Sequence, residues 1–250
     1  MSTVLITGAA RGIGAATARR FARAGHTVCI NYRCSAAEAE ALAAELAPAL
    51  EADGGRCVTV CADVATESGV ETLFRAVDEL GTLDVLVNNA ATLETQCRLV
   101  DLDADRVNRI LTNNVTSAFL CCREAVKRMS TANGGSGGTI VNVSSLAART
   151  GSPNEYVDYA ASKGALDTLT TGLAREVAAE GIRVNGVRPG LIHTTLHAAG
   201  GEPGRVNRLA PAIPMRRGGE AEEIAEAIFW LASDASSYAT GTFLDLAGGL

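Results

Sequence analysis

Thr3-Val4-Leu5-Ile6-Thr7-Gly8-Ala9-Ala10-Arg11-Gly12-Ile13-Gly14 is the stretch whose reading decides the fold. Its first half is a short aliphatic run with strand character. Its second half turns through glycine and runs straight into a helix expected over 13–24. A strand that passes through a glycine loop into a helix opens a βαβ unit, the context in which such a loop can receive a dinucleotide. Gly8 would allow the tight turn, Gly12 the close approach of backbone to a pyrophosphate, and Gly14 the packing of helix near strand. The anion would then sit on the helix N-terminus. The spacing is Gly-x-x-x-Gly-x-Gly and not Gly-x-Gly-x-x-Gly, so the loop read alone could also be a plain strand-to-helix connection.

The alternation continues outward from this stretch. Apolar runs predict strands at 4–7, 27–32, 57–62, 85–88, 139–144, 183–187 and 242–246. Helical spacing predicts helices at 13–24, 36–52, 67–80, 103–129, 159–179 and 222–233. Continuous apolar strands alternating with helices indicate a parallel sheet covered on both faces, and right-handed crossovers make it doubly wound. A length of 250 residues suits one large α/β domain. No Pro/Ser linker or internal repeat divides 1–250. The Gly-rich segment 131–138 is short enough to be a loop.

Composition narrows the function. A chain 47% hydrophobic and 20% charged has ample material for a core. Its net charge of −6 leaves no footprint for nucleic acid or an anionic membrane surface. No apolar run approaches the roughly 20 residues of a spanning helix. The chain enters its first strand without a basic and apolar leader, and a cytoplasmic location is expected. The seven cysteines (Cys29, Cys34, Cys57, Cys61, Cys97, Cys121, Cys122) form no Cys-x-x-Cys pair and read as reduced core thiols. The three histidines (His26, His193, His197) make no zinc set, so no metal is expected.

Polar residues punctuate the strand ends. After the second strand come Asn31-Tyr32-Arg33-Cys34-Ser35, with no acid to take ribose hydroxyls. Arg33, Arg11 in the glycine loop and Ser35 suit a 2′-phosphate, since guanidinium groups make bidentate contacts to such oxygens. The third strand closes with Ala62-Asp63-Val64, where Asp63 could meet an adenine or cap the next helix. Asn88-Asn89-Ala90-Ala91 closes the fourth strand and could tie the cofactor loop together. Asn113-Asn114 falls inside the long helix of 103–129, where asparagine is a poor helix former and, if buried, needs a partner. Asn142-Val143-Ser144-Ser145 ends the fifth strand, and Tyr159 and Lys163 lie one turn apart on the helix after it. A lysine ammonium beside a phenol favours the phenolate and pulls its pKa toward the working range; the plain alternative is a solvated tyrosine and a surface lysine. Pro189-Gly190 ends the sixth strand in a bend.

In order and across the whole chain, Thr7–Gly14, Asn88–Ala91, Asn114, Ser145, Tyr159 with Lys163, and Pro189-Gly190 resemble the short-chain dehydrogenase/reductase family. The resemblance implies a single Rossmann-like domain with a seven-stranded parallel sheet in the order 3-2-1-4-5-6-7. It implies reversible hydride transfer between a nicotinamide and a carbonyl/alcohol pair. Tyr159 would be the acid/base, Lys163 would hold the nicotinamide ribose and lower the tyrosine's pKa, Ser145 would bond the reacting oxygen, and Asn114 would hold a relay water. Cofactor contacts would come from Gly8, Ala10, Arg11, Gly12, Ile13, Gly14, Asn31, Tyr32, Arg33, Ser35, Ala62, Asp63, Val64, Asn89, Ala90, Ala91, Tyr159, Lys163, Pro189, Gly190, Ile192 and Thr194. NADP(H) is the expected cofactor, with NAD(H) as the weaker alternative.

Two features depart from the family's pattern. The interval from Ser145 to Tyr159 is fourteen residues, one more than in many members, which keeps Ser144 as a lesser candidate. Ala91 stands where a glycine is more usual. In this family the position of 191–217 holds the substrate lid, and His193, His197, Arg205, Arg208, Asn154 and Glu155 offer polar contacts there. The expected substrate is a small carbonyl or alcohol, with a 3-oxoacyl thioester and a sugar or polyol both open. A protein that senses the nucleotide without chemistry is the alternative from another class. The resemblance also implies a homotetramer or homodimer, paired through 103–129 and 159–179, with Ala160, Ala161, Ala165 and Ala174 allowing close approach. Phe229 and Trp230 would anchor a second interface.

Overall fold

The computed structural model describes residues 2–52 and 54–250. Seven strands form one parallel sheet: β1 Thr3–Ile6, β2 Thr27–Tyr32, β3 Cys57–Cys61, β4 Leu83–Asn88, β5 Gly138–Val143, β6 Ile182–Pro189 and β7 Phe243–Leu246. Their order is β3-β2-β1-β4-β5-β6-β7, as the resemblance implies. Reversal of the order beside β1 opens a crevice at the carboxyl ends of β1 and β4, where ligands of such sheets sit.

The period of two along each strand sorts the core. Val4 and Ile6, with Val28, Ile30, Val85, Val87, Val141 and Val143, face α1 (Gly12–Ala22), α2 (Ala36–Ala52) and α10 (Ala221–Ala232). Leu5, Cys29, Leu86, Ile140 and Val184 point the other way, onto α3 (Glu67–Asp78), α5 (Ser117–Met129) and α7 (Val157–Val177). Leu83 and Val85 have the same parity yet face opposite sides, because the β1–β4 register shifts between Thr3 and Val4. Full burial of a Leu or Ile side chain contributes roughly 1.5–3 kcal/mol, so both layers hold the sheet strongly.

The structure corrects several expected elements. The single helix of 103–129 is three pieces: α4 (Ala104–Leu111), a π-helical turn at Thr112–Thr116, and α5. The loop after β5 contains a short helix, α6 (Ala147–Thr150), and β6 extends past the expected 183–187 to end at Pro189. The segment after β6 folds as α8 (Leu196–Ala199), α9 (Arg205–Leu209) and a 3-10 turn at Ala210–Ala212. Ala160 and Ala174 are buried in the chain's own core, and Phe229 stacks edge-on against Phe21 at 5.1 Å. Ala161 and Trp230 stay exposed. The cysteines are all free, but only Cys29, Cys121 and Cys122 are fully buried; Cys34 and Cys61 are exposed at the ends of β2 and β3. Among the described residues no group of His, Cys, Asp and Glu could hold a metal ion, and no helix is long and apolar enough to cross a membrane.

Candidate active site

The glycine loop is shaped by close approach. Gly8 has φ +61°, and a Cβ there would stand 2.9 Å from the Cα of Ala90. At Gly14 a Cβ would meet Asn89 Nδ2 at 2.6 Å and the Gly8 carbonyl at 2.8 Å, so only glycine lets α1 start this close to the strand ends. Asn89 clamps the arrangement by donating to the carbonyls of Thr7 (2.9 Å) and Gly8 (3.0 Å). Thr7 Oγ1 accepts from the amides of Asn89 and Ala90, both at 3.0 Å. Arg11, the N-cap of α1, supplies no side-chain cap, so the first-turn amides face the cleft without a protein acceptor. That is the chemistry of an anion site, and the donor set fits a pyrophosphate.

A cleft of about 340 Å³ opens over this loop. It is lined by Gly8, Ala10, Arg11, Gly12, Ile13, Asn31, Tyr32, Arg33, Ser35, Ala62, Asp63, Val64, Asn89, Ala90, Ala91 and Thr194, as expected from the sequence, together with Cys34, Asn113 and Leu196, which were not. Gly14, Tyr159, Lys163, Pro189, Gly190 and Ile192, also expected there, do not line it. Ile192 is buried and bridges to Gly219, and Pro189 accepts the Leu146 amide at 3.0 Å, so these residues brace the cleft from behind. The Asn31 side chain is buried too; it accepts from the Gly8 amide at 3.3 Å and donates to Ala62 O at 3.0 Å, locking the glycine loop to β3. Asp63 accepts from the Ala65 amide at 3.0 Å and stands 3.6 Å from Arg33, while Thr66 caps α3. Arg33 is half exposed and donates to Asn113 Oδ1 at 2.9 Å.

Beside the cleft, behind its lining residues Leu93 and Leu196, Tyr159 lies one helix turn from Lys163 and close to Ser145. Ser145 lies close enough to Tyr159 to oppose the rise in its pKa, and Ser145 Oγ accepts from the Ala147 amide at 3.1 Å. Ser144, on the other face, donates to the Lys163 carbonyl at 3.3 Å and is buried, whereas Ser145 is the serine near Tyr159. Lys163 Nζ donates to Val143 O at 2.8 Å and lies 5.6 Å from the Tyr159 ring centroid. Burial pushes the Tyr159 phenol up to about 12, against the opposing effect of Ser145. Burial also brings Lys163 down to about 8, partly offset by Asp167. The expected lowering of the tyrosine's pKa is thus absent from the chain by itself, because both groups are shut away from water and the ammonium is turned to a carbonyl.

Asn114 sits in the π turn, 1% exposed. Its amide accepts from the Thr92 N–H (2.7 Å) and donates to Thr92 O (3.0 Å) and Ser162 Oγ (3.0 Å). Both of its hydrogens are taken, so the side chain pins the loop after β4 onto α7. Sequence reasoning missed the buried ladder beside it: Asn88 donates to Asn142 Oδ1 at 2.9 Å and Asn142 to Thr170 Oγ1 at 2.8 Å. Its one signal was an asparagine inside the apolar run of β5.

The lid residues expected to reach a substrate bond one another instead. Arg205 donates to both carboxylate oxygens of Glu155 (2.9 and 2.5 Å) and to Glu202 (3.2 Å); Arg208 also bonds Glu202. His193 is exposed, and Asn154, at φ +64°, occupies the turn before Glu155.

Residues 8–250 match the family model described as Enoyl-(Acyl carrier protein) reductase. The chain is 58% identical to the uncharacterized oxidoreductase YgfF of Escherichia coli K12 over 250 residues, the whole of both chains. It is 41% identical to cis-4-hydroxycyclohexanecarboxylate dehydrogenase of Sinomonas cyclohexanicum, covering 98% of this chain and 94% of that one. Among solved structures, a short-chain type dehydrogenase/reductase from Mycobacterium marinum superposes with a TM-score of 0.90 at 34% identity, covering 99% and 94% of the two chains. The 3-ketoacyl-(acyl-carrier-protein) reductase from Brucella melitensis, complexed with NADH, gives 0.90 at 32% identity, covering 99% and 97%.

Proposed function

The chain belongs to the short-chain dehydrogenase/reductase family, and from that premise we propose that it transfers a hydride reversibly between NADP(H) and a ketone or secondary alcohol, with Tyr159 as acid/base. The observation that carries this reading is the gathering of Ser145, Tyr159 and Lys163 next to a cleft whose glycine loop fits a pyrophosphate, with Tyr159 packed on the cleft residues Leu93 and Leu196. The bound nicotinamide supplies the hydride in reduction and accepts it in oxidation. Tyr159 gives its proton to the carbonyl oxygen as that oxygen gains charge, and Ser145 donates a hydrogen bond to the same oxygen. Lys163 stabilises the phenolate left behind. A phenol held near 12 is protonated at neutral pH, the form that reduction needs.

Arg11 and Arg33 both border the adenosine end of the cleft, beside Ser35 at the start of α2 and away from any acid on Asn31 or Tyr32. Asp63, 3.6 Å from Arg33, is the nearest competitor. An ion pair this exposed contributes only about 0–1 kcal/mol. A 2′-phosphate offers charge-assisted bonds of about 1.5–3 kcal/mol each and displaces it. The expected kcat/KM ratio therefore favours NADPH over NADH by roughly tens-fold, and Arg33→Ala lowers that ratio. A wild-type enzyme that prefers NADH, or a variant with an unchanged ratio, refutes this assignment. Free thiols on every cysteine support a cytoplasmic, reducing setting, and the exposed Phe119 of α5 and Ala161 of α7 support a homodimer or homotetramer built on these outer faces.

A further inference from the structure

We infer that the substrate is a compact, uncharged and largely apolar ketone or secondary alcohol, and that the Glu155–Arg205 pair beside the site sets this preference; the inference rests on the hydride-transfer reading above. The surroundings of Tyr159 are apolar. Leu93 and Tyr156 are buried against it, and Ala147 and Leu196 pack on the same cluster. The polar atom of that group, the Tyr156 hydroxyl, donates to Gly200 O at 3.1 Å. A Cβ on Gly200 would stand 2.8 Å from both Leu93 Cδ2 and the Tyr156 hydroxyl, so the wall has no spare depth there.

Charge surrounds this apolar cluster and is largely paired, the buried Arg106 Nη2 being without a hydrogen-bond partner among the described residues. Arg205, whose side chain is 10% exposed, holds Glu155 through two bonds and Glu202 through a third. Glu202 also accepts from Arg208 and, at 2.8 Å, from Gln96. These two arginines and two glutamates cancel. On the α4 side Arg106 bonds Asp158 at 2.8 Å and Thr95 O at 2.7 Å, and Arg109 bonds Glu94 at 3.1 and 3.0 Å. Arg149, on α6, bonds Asp245 at 2.5 Å. His197 adds no cation, since burial and then the Arg205 charge push its pKa down. Arg98 is the arginine of this region without a carboxylate, and it stands exposed at the outer edge. A substrate carboxylate would lose its hydration beside arginines already held by protein carboxylates, at several kcal/mol. A neutral apolar group loses nothing by the same move and gains the contacts of Leu93 and Leu196.

The test compares two ketones of one shape, 4-methylcyclohexanone and 4-oxocyclohexanecarboxylate, at saturating NADPH. The wild type should favour the methyl ketone in kcat/KM by at least about tenfold. Glu155→Gln releases Arg205 toward the cluster and should shrink that preference by about tenfold, while Glu155→Asp, which keeps the charge, should retain it. A wild type that reduces the carboxylate ketone equally well or better overturns the inference. So does a Glu155→Gln protein that melts like wild type and keeps the wild-type ratio; if this variant does not fold, the wild-type ratio decides alone. Oxidation of NADPH by neither ketone nor any other carbonyl compound would instead bring down hydride transfer itself, and this inference with it.

Discussion

Two serines end β5, and their neighbours separate them: Ser144 turns inward to the Lys163 carbonyl, and Ser145 meets Tyr159. The same helix turn carries a strong electrostatic cost. Lys163 is 2% exposed and titrates at about 8 instead of 10.5. Between these values the unfolded chain binds more protons than the folded one, so stability from this group rises with pH through that window. Below pH 8 the full penalty applies, on the order of 3 kcal/mol. Lys163→Met removes the titrating group, and its lost bond to Val143 O is an offset independent of pH. Denaturant unfolding should therefore show wild type gaining on Lys163→Met by up to that amount as pH rises from 8 toward 10.5. Parallel curves would mean that the ammonium is not desolvated as described.

At the level of elements, the π turn at Thr112–Thr116 decides how α4, α5 and α7 relate. It carries the chain from α4 to α5 while Asn114 reaches inward to Thr92 and Ser162. On the outer side, Gly164 and Gly172 of α7 have no heavy atom within 4 Å of a built Cβ, Ala161 is exposed, and Phe119 of α5 is half exposed. Small residues on one helix and a projecting aromatic on its neighbour make a self-complementary face. A two-fold contact would bury Phe119 twice, at roughly 1.5–3 kcal/mol each. Light scattering at micromolar concentration should show a dimer or tetramer for wild type and a smaller species for Phe119→Asp. A stable wild-type monomer would remove this face from the account.

Over the whole molecule, most of the architecture could be read from sequence because it depends on local signals. Strands alternate with helices, and Gly8, Gly12 and Gly14 mark a loop whose closeness to Ala90 and Asn89 is what excludes side chains. Ser145, Tyr159 and Lys163 were legible as a set for the same reason, since strand end and helix turn fix their meeting. What escaped depends on contacts between distant segments. Helical spacing could not reveal the π turn, because the same residues suit an α-helix, nor that Asn114's hydrogens are taken by Thr92 and Ser162. Arg205 and Glu155 read as open polar contacts, yet the fold brings them together across fifty residues of chain. The shifted pKa values of Tyr159 and Lys163 likewise follow from packing and not from their spacing. The central claim is that Tyr159 moves the proton in a hydride transfer, and the most direct measurement is NADPH oxidation with a neutral cyclic ketone by wild type and Tyr159→Phe, alongside the NADPH Kd of each. Wild type should turn over, and the variant should bind NADPH as tightly yet react about 10²–10⁴-fold more slowly; a Tyr159→Phe enzyme at near wild-type rate would contradict it.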